Sequence, residues 1–250
     1  MSKPRVAIYD FACCEGCQLQ IVNLEEEILD LLTLVSPVEW REAMSDHAAE
    51  DCDIALIEGS ITRPADAERL KEIRAHAGYL VALGACATIG GINKLKNAFD
   101  LMDVRQCVYG EAAGSPHVAT APTQAVDEVV KVDFKIHGCP IDNREFAYVV
   151  RCLAMGKTPV IPTYPVCVEC KAKGNICRYD YNEVCLGPLS RAGCGARCPS
   201  QGYWCFGCRG PADDPNVQAA RDVMDYYHKT VADLQERLDL FGIRPEGNHA

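Results

Sequence analysis

Apolar positions along the chain follow two alternating rhythms. Short apolar runs at 5–9 (RVAIY), 53–57 (DIALI), 79–83 (YLVAL) and 132–136 (VDFKI) have the length and β-branched content of buried strands. Between them the spacing changes. Ile21, Leu24, Ile28, Leu31 and Val35 recur every three or four residues, which predicts one helix face. A charged helix is expected over about 65–77 and another over about 142–155. Strands that alternate with helices define an α/β domain whose parallel sheet is covered on both faces. Past 166 the rhythm stops in a stretch of cysteines, glycines and turn residues. It resumes after Asp214-Pro215, where Val217, Ala220, Met224, Tyr227, Val231, Leu234, Leu238 and Phe241 predict one long amphipathic helix ending at Gly242. Such a face is expected to pack on its own domain. Pro159, Pro162 and Pro165 mark a link. Two domains are expected, 1–158 and 159–250.

Successive parallel strands bring their following loops to one carboxyl edge, where open α/β sheets bind ligands. Three of these loops carry cysteine: Cys14 and Cys17 after the first strand, Cys86 after a later one, Cys139 after the last. Four thiols therefore converge on one crevice. Gly16, Gly84 and Gly138 beside them would let backbone N–H groups approach sulfur, and Pro140 would pin the chain beyond Cys139. No dinucleotide fingerprint follows the first strand. Gly156-Lys157-Thr158 mimics the end of a phosphate loop, but Arg151 replaces its first glycine and a helix precedes it, so it is read as a helix end.

The stretch 167–208 holds eight cysteines in two sets of four. Cys167, Cys170, Cys177 and Cys185 follow C-x2-C-x6-C-x7-C; Cys194, Cys198, Cys205 and Cys208 follow C-x3-C-x6-C-x2-C. Four thiolates complete either a cubane iron–sulfur cluster or a tetrahedral zinc site. Little apolar sequence is left here for a core, so an inorganic group is expected to hold the segment together. A third set at a sheet's ligand edge is unusual for structural zinc, and three sets point to a chain of clusters that moves electrons. Cys13, Cys52, Cys107 and Cys152 are left over, with Cys52 and Cys152 read as packing residues.

Composition narrows this further. The chain has 250 residues, 16 cysteines and a net charge of −10, which argues against a nucleic-acid binder. Cysteine is too sparse for a disulfide scaffold. No membrane span or export signal is read, so the cytoplasm is expected, where clustered thiols stay reduced. The charge is uneven: Lys171, Lys173, Arg178, Arg191, Arg197 and Arg209 outnumber Glu169, Asp180 and Glu183 between 167 and 210. No hydrolytic triad, carboxylate pair, flavin signature or nicotinamide signature appears. His117 and His137 are read as structural.

These motifs resemble the small, electron-transferring subunit of nickel–iron hydrogenases over nearly the whole chain. CEGC at 14–17, EGSI at 58–61, GACATIGG at 84–91 and HGCP at 137–140 resemble that family's proximal-cluster loops. CLGP at 185–188 with Cys194 resembles its junction between distal and medial clusters. The resemblance implies a flavodoxin-like domain followed by a mostly irregular iron–sulfur domain with a C-terminal helix. It implies three [4Fe–4S] clusters: proximal on Cys14, Cys17, Cys86 and Cys139; distal on Cys167, Cys170, Cys177 and Cys185; medial on Cys194, Cys198, Cys205 and Cys208. Glu58 is placed near the proximal cluster, with a plain strand-end acid as the alternative. Cys167 stands where many periplasmic members use histidine, and Cys198 where some have proline and a three-iron cluster. Gly16 and Gly91 occupy the places of two extra cysteines in oxygen-tolerant members, which implies an ordinary proximal cubane and oxygen sensitivity. The expected partners are a large subunit holding the nickel–iron centre and a downstream acceptor: a heterodisulfide reductase-linked iron–sulfur protein, a flavoprotein or a diaphorase. The rivals are a quinone-reductase or membrane-hydrogenase small subunit, which usually lacks the eight-cysteine segment, and a zinc-stapled binding module without redox activity.

Overall fold

The computed structural model describes residues 2–45 and 51–243. The chain divides into two compact units, Met1–Pro159 and Val160–Ala250.

Five parallel strands form the sheet of the first unit: β1 (Arg5–Asp10), β2 (Ser36–Trp40), β3 (Cys52–Glu58), β4 (Ala77–Leu83) and β5 (Phe134–Ile136). Their order, β2-β1-β3-β4-β5, is the flavodoxin-like arrangement. The central strand β3 is buried on both faces, as its unbroken apolar run requires. Ala55 and Ile57 pack with Leu70 of α3 (Pro64–His76), while the alternate residues Ile54 and Leu56 are also buried. Helices α1 (Gly16–Val22) and α2 (Glu26–Leu34) pack on α6 (Asn143–Ala154). Asp142 caps α6 by accepting the N–H groups of Arg144 and Glu145. Asp133 accepts the N–H of Leu80 at 2.9 Å and the Arg74 guanidinium at 2.6 Å, tying the start of β5 to β4.

Several expectations are corrected. The single helix predicted through Ile21–Val35 is two helices, because Glu25 turns to φ 53°. Strand β2 was not predicted: Pro37 and Glu39 break its apolar pattern, and Pro is tolerated because β2 is an edge strand. The last strand begins at Phe134, two residues later than the apolar run. Residues 84–89 form α4 (Gly84–Ile89), and α5 (Leu101–Tyr109) lies between β4 and β5.

The second unit contains α7 (Val166–Ala172), α8 (Arg197–Ser200), α9 (Val217–Tyr226) and α10 (Val231–Leu240). The long terminal helix is thus a pair, broken at His228 with φ 53°. The expected shortage of apolar core here is also corrected. Val166, Tyr179, Leu186, Leu189, Ala220, Met224, Leu234, Leu238 and Ile243 form one buried cluster with Cys185 and Cys205. The terminal helices thus pack on their own unit. Among the described residues no helix is long and apolar enough to cross a membrane.

Candidate iron–sulfur sites

The register of the sheet sets out the first site. Asp10 pairs with Glu58, Glu58 with Leu83, and Leu83 with Ile136, so four strands end in one row. The loops beyond that row are stitched together. Ala12 and Ser60 form a two-way backbone bridge, and Ala85 N–H donates to the Gly138 carbonyl at 2.7 Å. The Cys139–Pro140 peptide is cis. Glu15, between Cys14 and Cys17, takes the left-handed conformation at φ 59° and starts α1.

Cys14, Cys17, Cys86 and Cys139 come together in this crevice. Burial pushes the Cys86 thiol up to about 12, with Cys139, Cys14 and Glu58 adding to the rise. Burial likewise raises Cys139, helped by Cys14 and Glu58. Cys17 is raised further, first by burial and then by Glu58, with Cys86 also contributing; Ile141 N–H, which donates to its sulfur, opposes the rise. Each thiol therefore feels another of the set. Without metal, Cys17, Cys86 and Cys139 remain protonated at neutral pH, and binding a metal there must release protons. Cys14 and Cys139 are exposed, whereas Cys17 is buried.

Glu58, 2% exposed at the end of β3, accepts the N–H groups of Cys17 at 3.0 Å and Gln18 at 3.2 Å. Burial raises its carboxyl, and these hydrogen bonds oppose the rise. It therefore anchors the first turn of α1, which carries Cys17. Gln18 is fixed in turn by the Trp40 indole N–H at 2.8 Å.

The spaces beside these sulfurs are shaped by glycine. A Cβ on Gly84 (φ 82°) would collide with Cys17 Sγ; one on Gly91 (φ 58°) would lie 2.9 Å from Cys86 Sγ; one on Gly16 would lie 3.3 Å from Cys14 Sγ. At Gly138 (φ 134°) a Cβ would lie 2.6 Å from the Pro140 carbonyl oxygen. Gly91 had drawn notice only through the family resemblance.

In the second unit, Cys167 is raised to about 12 by burial and by Cys185, Cys170 and Cys177, so these four form one electrostatic group. Asn175 Nδ2 approaches Cys170 Sγ at 3.7 Å. A Cβ on Gly187 would stand 3.0 Å from Cys167 Sγ and 3.5 Å from Cys185 Sγ, a cradle that sequence reasoning missed. Burial raises Cys198, and Cys194 adds to it. Burial also raises Cys205, with Cys185 and Cys208 adding. The two sets meet where Cys205 N–H donates to Cys185 Sγ at 3.2 Å. Among the leftover cysteines, Cys52 and Cys152 are buried in β3 and α6, Cys13 is half-buried, and Cys107 is exposed on α5. Among the described residues, no three His, Cys, Asp or Glu side chains close around a point suited to one metal ion.

A parallel sheet with cysteine-bearing loops at its ligand edge, followed by eight more cysteines, defines an iron–sulfur subunit of a redox complex. The family model described as NADH ubiquinone oxidoreductase, 20 Kd subunit, matches residues 14–153, more than half of the chain, and the chain belongs to that family. Relatives of the chain include hydrogenase subunits. It is 37% identical to sulfhydrogenase 2 subunit delta of Pyrococcus furiosus, over 88% of this chain and 92% of that protein. It is 30% identical to a subunit of the F420-non-reducing hydrogenase vhu of Methanococcus voltae, over 85% of this chain and 84% of that protein. Among solved structures, a chain of the NAD+-reducing [NiFe]-hydrogenase in the H2-reduced state matches with TM-score 0.59 and 27% identity, over 64% of this chain and 96% of that one. The chain belongs among the small subunits of nickel–iron hydrogenases, which are oxidoreductases whose small subunits carry iron–sulfur clusters.

Proposed function

We propose that the chain holds three [4Fe–4S] clusters and relays electrons between the hydrogen-activating centre of its large subunit and a downstream acceptor. The ligand sets are Cys14, Cys17, Cys86 and Cys139 (proximal), Cys194, Cys198, Cys205 and Cys208 (medial), and Cys167, Cys170, Cys177 and Cys185 (distal). The observation that carries this reading is the gathering of four thiols, distant in sequence, beside glycines whose missing side chains leave the sulfurs free. When bound, such clusters supply one-electron transfer.

The residues of this chain prepare the site. Glu58 and the Ile141 N–H fix Cys17; the bond from Ala85 to Gly138 holds the Cys86 and Cys139 loops together. Asn175 orients Cys170 and the Cys205 N–H orients Cys185. The exposure of Cys14 and Cys139 fits a large subunit that covers the proximal edge and excludes water there. The acceptor is a cytoplasmic heterodisulfide reductase-linked iron–sulfur protein, a flavoprotein or a diaphorase.

The anaerobically purified complex is expected to contain about 12 iron and 12 sulfide per copy of this chain, and to reduce viologen with hydrogen. A colourless protein with stoichiometric zinc overturns the reading. Cys198→Pro is expected to convert one four-iron centre to a three-iron centre; an unchanged EPR spectrum counts against the medial assignment. Co-purification identifies the acceptor.

A further inference from the structure

The buried donors of the second unit that have no acceptor among the described residues include Trp204 Nε1 and Arg237 Nη1. They belong to one assembly, with the guanidinium carbon of Arg237 3.8 Å from the centre of the Trp204 ring. A buried N–H without a partner costs free energy and marks a place where an unseen acceptor belongs. Trp204 precedes Cys205, whose N–H bonds Cys185 Sγ. Leu234 and Leu238, flanking Arg237 on α10, are buried in the same cluster as Cys185 and Cys205. Burial lowers the Arg237 guanidinium, and Cys185 is the foremost of the groups that pull it back up. The nearby carboxylate Glu183 is already engaged by Arg178, at 2.7 Å from Nε and 2.6 Å from Nη2. The arginine therefore brings its charge to the meeting point of the two cysteine sets with that carboxylate already paired.

We propose that Arg237, held flat against Trp204, is the positive counter-charge for the cluster that Cys185 ligates and raises its reduction potential, with the Trp204 N–H donating to sulfur at the same junction. This rests on the iron–sulfur reading above. Reduction adds one electron, supplied by the hydrogenase reaction, to an already anionic group. A fixed cation and N–H donors stabilise the reduced form most where water is scarce. An arginine that merely covered a tryptophan would act through packing and not through charge.

The test is an EPR-monitored redox titration of the complex purified anaerobically with its large subunit, with iron counted in every sample. In Arg237→Gln, one of the three midpoints is expected to fall. The reduced-to-oxidised ratio of that centre at fixed potential drops about tenfold, equivalent to about 59 mV for one electron. Arg237→Lys restores most of the shift, because it keeps the charge. Trp204→Phe shifts the same centre less, in the same direction. Midpoints that stay put at full iron content overturn the inference, as does an equal shift in the Gln and Lys variants. If Arg237→Gln fails to load iron, the Trp204→Phe titration decides, and an unmoved midpoint there overturns the proposal. A wild-type complex without iron overturns the underlying reading instead.

Discussion

In the first unit, cysteines as far apart as Cys14 and Cys139 meet because a parallel sheet delivers their loops to one edge. In the second, eight cysteines lie together in sequence between 167 and 208, and two of them, Cys185 and Cys205, are part of the apolar core itself. The sheet can exist before any metal arrives, since its buried strands carry no ligand. The second unit builds Cys185 and Cys205, ligands on the proposed reading, into the apolar cluster that stabilises it. Metal binding should therefore complete the first unit and fold the second.

The largest expected effect follows from that contrast. Stripping iron under reducing conditions should leave amide protection in β1, β3 and β4 and abolish it in α7, α9 and α10, read by hydrogen exchange. Equal loss in both units would break the comparison. The next concerns the apolar part of the second core. Leu238→Ala should destabilise that unit by about 2–5 kcal/mol, the usual cost of truncating a buried leucine, while denaturant melting of the sheet is unmoved. Smaller again is Gly84→Ala. Its left-handed backbone and the nearby Cys17 sulfur predict a cost of about 1–3 kcal/mol; on the three-cluster proposal, it is also expected to lose roughly one third of the bound iron. Retention of all the iron would show that the crevice is looser than its glycines imply.

The smallest effect tests the sheet by pH. Burial alone would raise the Asp133 carboxyl, but the Leu80 N–H and Arg74 outweigh it and hold it below the ordinary carboxylate value. The stability it contributes is therefore complete above its unfolded value, near pH 4, and is lost as the pH falls through the lower folded value. Asp133→Asn should cost about 1 kcal/mol at neutral pH and flatten that acid slope. An unchanged slope in acid melts would remove Asp133 from the account.

Much of this architecture was legible in the chain. The runs at 53–57 and 79–83 are strands because residues buried on both faces must be apolar throughout. The cysteine-bearing loops follow from right-handed parallel crossovers. What was hidden has local causes. The helix rhythm runs unbroken across Glu25 and across His228, yet both adopt left-handed backbone that only tertiary packing can stabilise in a non-glycine residue. β2 escapes because SPVEW carries no alternation strong enough to outweigh its proline. The roles of Gly91 and Gly187 depend on which sulfur lies above them, a through-space fact. Glu58 stood out as a strand-end acid, but its two N–H donors come from a helix some 40 positions away in sequence.

The aligned row of Asp10, Glu58, Leu83 and Ile136 carries one more consequence. Sliding any of these strands by a single residue would carry its loop about 3.3 Å along the sheet, farther than the length of a metal–sulfur bond, about 2.3 Å. A misaligned sheet cannot close its thiols around a shared inorganic core. On the proposed reading, cofactor loading thus depends on strand alignment as well as on the cysteines themselves.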